Sequence, residues 1–461
     1  MPNASATNFD AIVIGTGQAG PALARRLARE GKKVAVIERK LFGGTCVNTG
    51  CIPTKTLVAS AEAAFAARRA AEFGVTISGR VGVDMKAVKA RKDKVVAPSR
   101  KGVERSLKRA KCTIYRGHAR FTAPHQVQVG KRLLSAEHIF INVGGRAALP
   151  PIEGLDQVPY LTNSSMMNVE FLPRHLVVIG GSYIGLEFAQ MYRRFGSEVT
   201  VIEMGPRLVA REDEDVSKGV QDILEREGIE VRLNAKCLSV ARAGKQIVVG
   251  LDCRKGAKQV RGSHLLLATG RRPNTDDLGL DAAGIARDGK GYITVDDHLA
   301  TNVPGVWAMG DCNGKGAFTH TAWNDYEIVA ANLLDSDPRR VTDRIPAYAL
   351  FIDPPLGRAG MTEAEVRRGG KKALIAKLAM EDIGRAVEKG ATQGFMKVIV
   401  DADTKLILGA AILGVGGDEV IHTILDLMYA QASYRIMERA MHIHPTVSEF
   451  LPSLLGDLQP M

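Results

Sequence analysis

Hydrophobic and polar positions follow the same pattern in two stretches of the chain. Residues 10–38 begin with an apolar run at Ala11–Ile14, pass through a glycine-rich turn into a segment with apolar residues at helical spacing, and end with an apolar run at Val34–Ile37. Short apolar strands on either side of an amphipathic helix indicate a βαβ unit. The pattern returns at 175–203. Two such units predict two nucleotide-binding domains.

The pattern changes in the last third of the chain. From about residue 346 onward it is typical of an α+β domain, with a strand predicted at Phe395–Val400 and a helix near 419–430. A stretch with two prolines, Leu149–Gly154, is predicted to connect the two βαβ domains. The sequence therefore predicts an α/β fold with a separate third domain.

Composition narrows the class of protein. The chain has 461 residues, 45% hydrophobic and 24% charged, which is ordinary for a globular protein of about three domains. Its apolar runs are too short to span a bilayer, and the first ten residues lack the pattern of a secretory signal. Six cysteines are too few for a disulfide scaffold. We expect a cytoplasmic protein in which any disulfide is catalytic.

The net charge of +12 is concentrated in one stretch. Residues 86–111 contain eleven basic residues and only two acidic ones, Asp93 and Glu104. Valines and leucines recur in this stretch at helical spacing. This pattern favours an amphipathic helix with a solvated basic face. No aromatic residues alternate with the charges, so we expect neither a nucleic-acid nor a membrane partner. A redox-responsive binding protein that uses this surface is the alternative from another functional class.

The first glycine-rich turn runs from Gly15 to Gly20 and has the pattern GxGxxG. It follows a predicted strand and opens a predicted helix, and Glu38 lies 18 residues beyond Gly20. In this context the pattern predicts a dinucleotide site, because glycines let the backbone approach a pyrophosphate and the acid can bind a ribose.

The second turn, Gly180–Gly185, carries Ser182 at the middle glycine position. Serine still permits close approach of a ligand, so we also predict a dinucleotide here. Glu203 ends the following strand and favours NAD(H), whereas Arg207 could meet the 2′-phosphate of NADP(H).

Cys46 and Cys51 stand five residues apart, after the first βαβ unit. Metal ligation and inert thiols are the alternatives to a disulfide. In a regular helix five residues rise about 7.5 Å, so the pair can form a disulfide only if the start of the helix is distorted. Gly50 and Pro53 would permit that distortion. A strained disulfide beside a nucleotide site is expected to be redox-active.

These motifs, together with the blocks 268–274, 307–311 and 444–449, resemble the flavin-dependent pyridine nucleotide–disulfide oxidoreductases, which include glutathione reductase, dihydrolipoamide dehydrogenase and mercuric reductase. The resemblance runs from Asp10 to about Leu455. It implies two Rossmann-like FAD- and NAD(P)-binding domains and a C-terminal α+β dimerisation domain, as in glutathione reductase. The implied boundaries are 1–150 and 276–345 for FAD, 151–275 for NAD(P), and 346–461 for dimerisation.

The resemblance also implies the cofactor-binding residues, with no metal ligands. Those for FAD are Gly15, Gly17, Gln18, Ala19, Gly20, Glu38, Gly44, Thr45, Cys46, Lys55, Ala119, Gly144, Asp311, Phe318, Thr319 and His320. Those for NAD(P), with NAD(H) favoured, are Gly180, Ser182, Tyr183, Ile184, Gly185, Glu203 and Gly270.

Catalytic roles follow from the same resemblance. Cys51 would face the flavin and form a charge-transfer complex as a thiolate, and Cys46 would attack the substrate. Lys55 would approach the flavin N5 region and pair with Glu187. Tyr183 would gate the nicotinamide pocket.

The same resemblance assigns a base. His444 would be the base, oriented by Glu449, and in this family the histidine comes from the partner subunit. The resemblance therefore implies a homodimer.

Differences from the sequence patterns of other members indicate which branch of the family this chain resembles. No cysteine follows Cys312, and His444 stands where mercuric reductases usually carry tyrosine, so mercuric reductase is the third choice. The blocks 318–326 and 353–363 resemble the reactive-chlorine-resistance flavoproteins, which are NADH-dependent and reduce copper(II) and oxidised small molecules. We therefore expect an oxidoreductase that acts on a metal ion or a sulfur group of a small acceptor, with dihydrolipoamide dehydrogenase as the alternative.

Overall fold

The computed structural model describes residues 6–253 and 256–461. Its elements alternate as expected for an α/β fold. The strands are, in chain order, β1 (Thr7–Ile14), β2 (Val34–Glu38), β3 (Thr113–Arg116), β4 (Ala119–Ala123), β5 (Gln126–Val129), β6 (Arg132–Ile141), β7 (Gly145–Ala147), β8 (His175–Ile179), β9 (Glu198–Ile202), β10 (Glu230–Arg232), β11 (Ala235–Ala243), β12 (Gln246–Cys253), β13 (Gln259–Gly262), β14 (His264–Leu267), β15 (Arg271–Pro273), β16 (Val306–Ala308), β17 (Ala347–Leu350), β18 (Leu356–Gly360), β19 (Ala373–Ala379), β20 (Phe395–Asp401), β21 (Ile407–Leu413) and β22 (Gln459–Pro460).

The helices include both amphipathic crossovers of the βαβ units. They are α1 (Ala19–Arg29), α2 (Gly44–Asn48), α3 (Cys51–Arg68), α4 (Met85–Arg109), α5 (Asn163–Met166), α6 (Tyr183–Phe195), α7 (Glu214–Arg226), α8 (Thr319–Ala330), α9 (Glu363–Arg368), α10 (Gly384–Glu388), α11 (Gly417–Tyr429), α12 (Arg435–Glu438) and α13 (Leu451–Gly456).

The first sheet has the order β3-β2-β1-β6-β5-β4, with β16 beside β6. Strands β1, β2, β3, β6 and β16 pair in parallel, and Ala11 lies opposite Val34. Because β16 comes from residues beyond 300, the chain leaves this sheet and later returns to it. The carboxyl ends of β1 and β16 therefore meet at one edge.

The second βαβ unit builds a parallel sheet in the order β10-β9-β8-β14, flanked by the antiparallel strands β11-β12-β13. The third region forms a six-stranded antiparallel sheet, β17-β18-β21-β20-β19-β22. The predicted βαβ units and the α+β character of the last region are confirmed. A short antiparallel pair, β7 with β15, links the first sheet to the second.

The basic stretch forms the long helix α4, as the apolar spacing predicted. Asp84 caps its N-terminus by accepting from the backbone N–H groups of Lys86 and Ala87. Several basic side chains are used inside the fold: Arg91 donates to the carbonyl of Thr56 at 2.7 Å, and Arg100 donates to Asn48 at 2.7 Å. Some of the basic side chains of α4 therefore bind it to the cysteine-bearing segment through hydrogen bonds.

An ion cluster lies where the first residues of α7 and α9 approach β20 of the six-stranded sheet. The ammonium of Lys397, whose side chain is 1% exposed, lies 2.9 Å from Asp213, 2.7 Å from Asp215 and 2.6 Å from Glu363. All three carboxylates are thus paired with one lysine, and Arg358 and Lys377 add positive charge at Asp213 and Asp215. Within the described ranges, no helix combines the length and apolarity that a bilayer span requires.

Candidate active site

The first glycine-rich turn leaves the carboxyl end of β1 and enters α1. Gly15 has a φ of +99°, and a Cβ there would lie 2.3 Å from the carbonyl oxygen of Asn142. A Cβ on Gly20 would lie 2.4 Å from the carbonyl oxygen of Gly15. Only glycine fits at these positions, so the turn brings bare backbone and the N-terminus of α1 to the sheet edge.

The carboxylate of Glu38 is fixed beside this turn. One of its oxygens accepts from the backbone N–H of Thr16 at 3.0 Å and from the Thr16 hydroxyl at 2.6 Å. The other oxygen accepts from the backbone N–H of Lys40 at 2.8 Å. The acid at the end of β2 therefore lies next to the anion-binding turn, as its spacing predicted.

The cysteine-bearing segment packs on the same turn. The side chain of Gln18 donates to the carbonyl of Gly43 at 3.3 Å, and a Cβ on Gly44 would lie 2.7 Å from the Cα of Gly17. Ala19 is the first residue of α1, and it is fully buried. These close approaches place α2, including Thr45, directly against the predicted pyrophosphate site.

The second glycine-rich turn has the same construction. Gly180 has a φ of +115°, and a Cβ on Gly185 would lie 2.1 Å from its carbonyl oxygen. Ser182 precedes the first residue of α6 with an extended backbone, and Ile184 packs against the core. The serine at the middle position leaves the turn geometry intact.

Glu203 stands at the end of β9 as Glu38 stands at the end of β2. Its two oxygens each accept a backbone hydrogen bond of 2.7 Å, one from Gly181 and one from Gly205. Arg207 is directed to the carbonyl of Ala210 at 3.2 Å. The carboxylate, rather than the guanidinium, therefore lies against the turn.

The segment that carries the two cysteines is broken between them. Helix α2 ends at Asn48 and α3 begins at Cys51, and between them Gly50 leaves helical geometry with φ −130° and ψ −121°. The predicted distortion at the start of the helix is confirmed. It lets the sulfur of Cys46 reach that of Cys51, and both are free thiols here.

The two thiols differ in acidity. A hydrogen bond with Cys46 lowers the pKa of Cys51 to about 6, and the hydroxyl of Thr319, at 3.0 Å from the Cys51 sulfur, and the charge of Lys55 act in the same direction. The same hydrogen bond, together with burial, raises the pKa of Cys46. At neutral pH the pair therefore carries its negative charge on Cys51.

Lys55 lies one turn beyond Cys51 on α3 and forms an ion pair with Glu187 of α6. Its ammonium lies 2.7 Å and 2.6 Å from the two carboxylate oxygens. The carboxylate also accepts from the backbone N–H of Phe351 at 3.2 Å, and the ammonium lies 4.2 Å from the Phe351 ring centroid. Three regions of the chain thus hold one lysine beside the thiols.

Four rings form an aromatic cluster next to this pair: Tyr183, Phe318, His320 and Tyr348. Phe318 stacks on His320 with centroids 5.3 Å apart and on Tyr348 at 5.6 Å. Tyr183 meets Phe318 and Tyr348 edge-on at 5.9 Å and 5.4 Å. Burial raises the pKa of Tyr183 to about 12, so its hydroxyl stays neutral.

Asp311 lies after β16, at the same edge of the first sheet. Its carboxylate lies 3.1 Å from the guanidinium of Arg271, which also donates to the carbonyl of Gly145 at 2.8 Å. The preceding residue, Gly310, donates its backbone N–H to the buried Asp325 at 2.6 Å. The predicted flavin-binding acid is therefore held in a fixed position.

The glycine-rich turns and the space around them fit an FAD and a pyridine nucleotide. A Cβ on Gly144 or on Gly270 would have no atom within 4 Å, so both positions border open space at the ends of β6 and β14. Ala119 is buried at the start of β4, two residues after Gly117, whose backbone N–H donates to the carbonyl of Glu38 at 3.0 Å. Two helix N-termini and two fixed carboxylates supply the donors and acceptors that such cofactors need.

His444 lies apart from the thiols, in the third domain. Its Nδ1 lies 2.9 Å from a carboxylate oxygen of Glu449, and its side chain is 82% exposed. Met441 and Ile443, which precede it in the same loop, are also exposed. The predicted base and its orienting acid are thus exposed beside apolar side chains, where a second copy could reach them.

Sequence reasoning missed several residues of this site. Tyr348 and Phe351 come from β17 and the loop after it, and no local pattern distinguishes them. Asn142 lies beneath the first glycine-rich turn, where its amide oxygen can accept from the N–H groups of Gly20 and Gly17. Its place at the end of β6, beside the strand that carries the turn, was the signal that could have found it.

Comparisons with known proteins agree with this geometry. Residues 9–325 match the pyridine nucleotide-disulphide oxidoreductase family and 346–454 match its dimerisation domain. The chain is 35% identical to a probable pyridine nucleotide-disulfide oxidoreductase, RclA, of Escherichia coli (97% of this chain, 99% of the relative), and 34% identical to a mercuric reductase of Streptomyces lividans (96% and 95%). A solved structure of the Cu(II) complex of the HOCl-induced flavoprotein disulfide reductase RclA from E. coli is 35% identical and has a TM-score of 0.88 over 97% of this chain and 99% of that one.

Proposed function

Because the chain belongs to the pyridine nucleotide-disulphide oxidoreductase family, we propose that it oxidises NAD(P)H and passes the electrons through FAD and the Cys46–Cys51 pair to a metal ion or a small oxidised acceptor. The observation that carries this proposal is the site itself. Two thiols of unequal acidity lie beside a lysine–glutamate pair, between two glycine-rich turns. We also propose that the domains end at residues 150, 275 and 345, as the resemblance implies.

When bound, FAD supplies the chemistry that takes a hydride from reduced nicotinamide and delivers two electrons to a disulfide. The ammonium of Lys55, fixed by Glu187, would stabilise negative charge that develops beside it. Reduction of the disulfide leaves Cys51 as a thiolate, whose charge is stabilised by Thr319. Cys46 is then the thiol that reaches the acceptor.

Electrons balance for each class of acceptor. With a disulfide, Cys46 attacks one sulfur and releases the other as a thiol, and Cys51 then displaces the second product as the Cys46–Cys51 disulfide reforms. With metal ions, the same two electrons reduce one Hg(II) to Hg(0) or two Cu(II) to two Cu(I). Only the route with a disulfide needs a group that takes the proton from the Cys46 thiol and gives it to the leaving sulfur.

His444 would be that base, which favours dihydrolipoamide dehydrogenase as the second candidate. Since Glu449 holds its Nδ1, its Nε2 is free to accept or return a proton at a substrate sulfur. We propose that, in a homodimer, the histidine of one copy serves the thiols of the other. The similar RclA structure is a Cu(II) complex, which supports copper as the first metal to test.

The acceptor assay tests these alternatives. Purified, FAD-loaded protein is mixed with NADH and with lipoamide, Cu(II) or Hg(II) in parallel, and NADH oxidation is followed. We expect slow lipoamide turnover and brisk copper reduction that disappears in Cys46→Ser. Fast lipoamide turnover that collapses in His444→Ala would instead make the protein a dihydrolipoamide dehydrogenase. Absence of turnover with every acceptor, with NADH and with NADPH, at full FAD content, would overturn the proposal.

Glu203 is expected to set the preference for NADH over NADPH. Its carboxylate lies against the second turn, where it can bind a ribose 2′-hydroxyl and repel a 2′-phosphate. In Glu203→Ala we expect the ratio of kcat/KM for NADH to that for NADPH to fall by about tenfold or more, as one charged hydrogen bond is lost and one repulsion is relieved. Steady-state kinetics with both nucleotides measures this ratio.

The matched control is Glu198→Ala, at the opposite, exposed end of the same strand. It should leave the ratio unchanged. A wild-type protein that prefers NADPH, or an unchanged ratio in Glu203→Ala, would contradict the assignment.

Thr319 is expected to keep Cys51 acidic. Its hydroxyl lies 3.0 Å from the Cys51 sulfur and stabilises the thiolate. Replacement by valine removes that hydrogen bond, so the pKa of Cys51 should rise from about 6 by roughly one unit. Thr319→Ser should restore it. The pH dependence of iodoacetamide labelling at Cys51 in the reduced protein, followed by mass spectrometry, gives both values, and equal midpoints in the valine and serine variants would refute the role.

A further inference from the structure

Asp325 on α8 holds both ends of the turn that carries Asp311, the predicted flavin-binding acid. That turn is Gly310–Asn313, just after β16. One carboxylate oxygen of Asp325 accepts from the backbone N–H of Gly310 at 2.6 Å and from the side-chain amide of Asn313 at 2.9 Å. Asp311 lies between these two residues, so the position of its carboxylate depends on Asp325.

The charge of Asp325 is balanced by Arg344, from another part of the chain. The side chain of Asp325 is 2% exposed, and the Arg344 guanidinium donates to the carboxylate oxygen that the turn does not use. Its Nε also donates to the side chain of Asn324 at 2.6 Å. Among the described residues, no other cation forms an ion pair with Asp325. Since a buried carboxylate without a partner is costly, Arg344 keeps Asp325 ionised and in place.

Arg344 belongs to the segment that leads into the third region. Strand β17 begins three residues later, at Ala347, and the carbonyl of Pro346 accepts from the backbone N–H of Gly360 in β18 at 2.7 Å. A second contact joins the same two parts of the chain, because Nε2 of His320 on α8 lies 2.8 Å from the carbonyl oxygen of Ala347. The six-stranded sheet thus fixes the segment from which Arg344 reaches α8.

We infer that Arg344 is a positioning residue for FAD, which acts from the edge of the third region through Asp325 on the turn that carries Asp311. A carboxylate that is already held in place loses little freedom when a cofactor binds to it, so this support increases the affinity for FAD. The inference rests on the proposed function, because it takes Asp311 to bind the flavin cofactor.

The test measures the Kd for FAD by equilibrium dialysis of the holoenzyme against buffers of decreasing FAD concentration. In Arg344→Met, Asp325 loses its partner and no longer fixes the turn, so we expect Kd to rise by about tenfold or more, as for the loss of one hydrogen bond to a charged group. Arg344→Lys should recover most of the lost affinity, since a lysine can still pair with the carboxylate.

Arg194→Met is the matched control. Arg194 is a buried arginine of α6 that lies 2.7 Å from Glu227 and 2.7 Å from Asp353, so it also joins another part of the chain to the third region. Its loss should lower the thermal midpoint, measured by differential scanning fluorimetry, at least as much as the loss of Arg344, while the Kd for FAD stays unchanged. An equal rise of Kd in both variants would assign the effect to general loss of stability, and the inference would fail.

Asp325→Asn keeps the inference testable if Arg344→Met does not fold. The asparagine oxygen can still accept from Gly310 and Asn313, but bonds to a neutral acceptor are weaker, so Kd should rise in this variant too. In the double variant the two effects should add incompletely, because both act through one contact. An unchanged Kd in either single variant, or full additivity, would overturn the inference alone. A wild-type protein that binds no FAD would instead overturn the proposed function.

Discussion

Replacing Cys51 with serine is expected to lower NADH-driven reduction of the acceptor by at least about 100-fold. A serine hydroxyl can neither ionise near neutral pH nor form a disulfide, whereas the pKa of Cys51 lies at about 6. Cys46→Ser should be equally damaging, because the two thiols act as one unit. Steady-state turnover with the best acceptor from the parallel assay measures the loss.

A reductive titration with dithionite separates loss of the disulfide from general damage. The wild-type protein should accept about four electrons per FAD, two on the flavin and two on the disulfide, and each serine variant about two. Cys253→Ser is the control, since Cys253 lies at the end of β12, outside the site, and should behave as wild type. Full turnover in Cys51→Ser, or a wild-type capacity of two electrons, would rule out the dithiol relay.

Removing the charge of Lys55 is expected to impair both activity and stability. In Lys55→Met, Glu187 keeps a carboxylate that is only 9% exposed but loses its ion-pair partner. Breaking a buried pair costs a few kcal/mol, and the partial exposure of Lys55 places this one at the low end, at about 2 kcal/mol. The thermal midpoint should fall by a few degrees, and turnover should fall by about 100-fold or more because stabilisation of developing charge is lost.

The double variant Lys55→Met/Glu187→Gln distinguishes the two effects. With no unpaired charge left, its thermal midpoint should return toward that of the wild type, while turnover stays as low as in Lys55→Met. Differential scanning fluorimetry and the acceptor assay report on the two quantities separately. Recovery of turnover in the double variant would show that the lysine acts only through folding, and would remove it from the proposed chemistry.

Local patterns predicted much of the framework. The strands at both βαβ units, the turns they lead into and the acids that end the second strands all follow from short-range rules, because alternation of strands and helices fixes which residues reach the sheet edge. Glu38 and Glu203 therefore lie against their turns as expected. The break between the two cysteines was also predictable, since a regular helix could not bring them together.

The support around the thiols depends on long-range contacts. Thr319 reaches Cys51 across 268 residues of sequence, and Glu187 reaches Lys55 across 132. The resemblance to a family named both residues, but their contacts with the thiol and the lysine depend on how the sheets pack. The pKa of Cys51 is lowered first by the nearby Cys46 and then by Thr319 and Lys55, so the fold adds to an effect that the local cysteine pair begins.

By itself, then, the sequence determined the class of fold, the two glycine-rich turns and the candidate redox pair Cys46–Cys51, because each is encoded by residues within about 30 positions of one another. Only the tertiary structure brought Thr319 to the sulfur of Cys51, and only it brought the ring of Tyr348 to that of Tyr183. Tyr183 begins α6 and Tyr348 lies in β17, and no local pattern links the two residues. Their rings meet only because α6 packs against the six-stranded sheet of the last region.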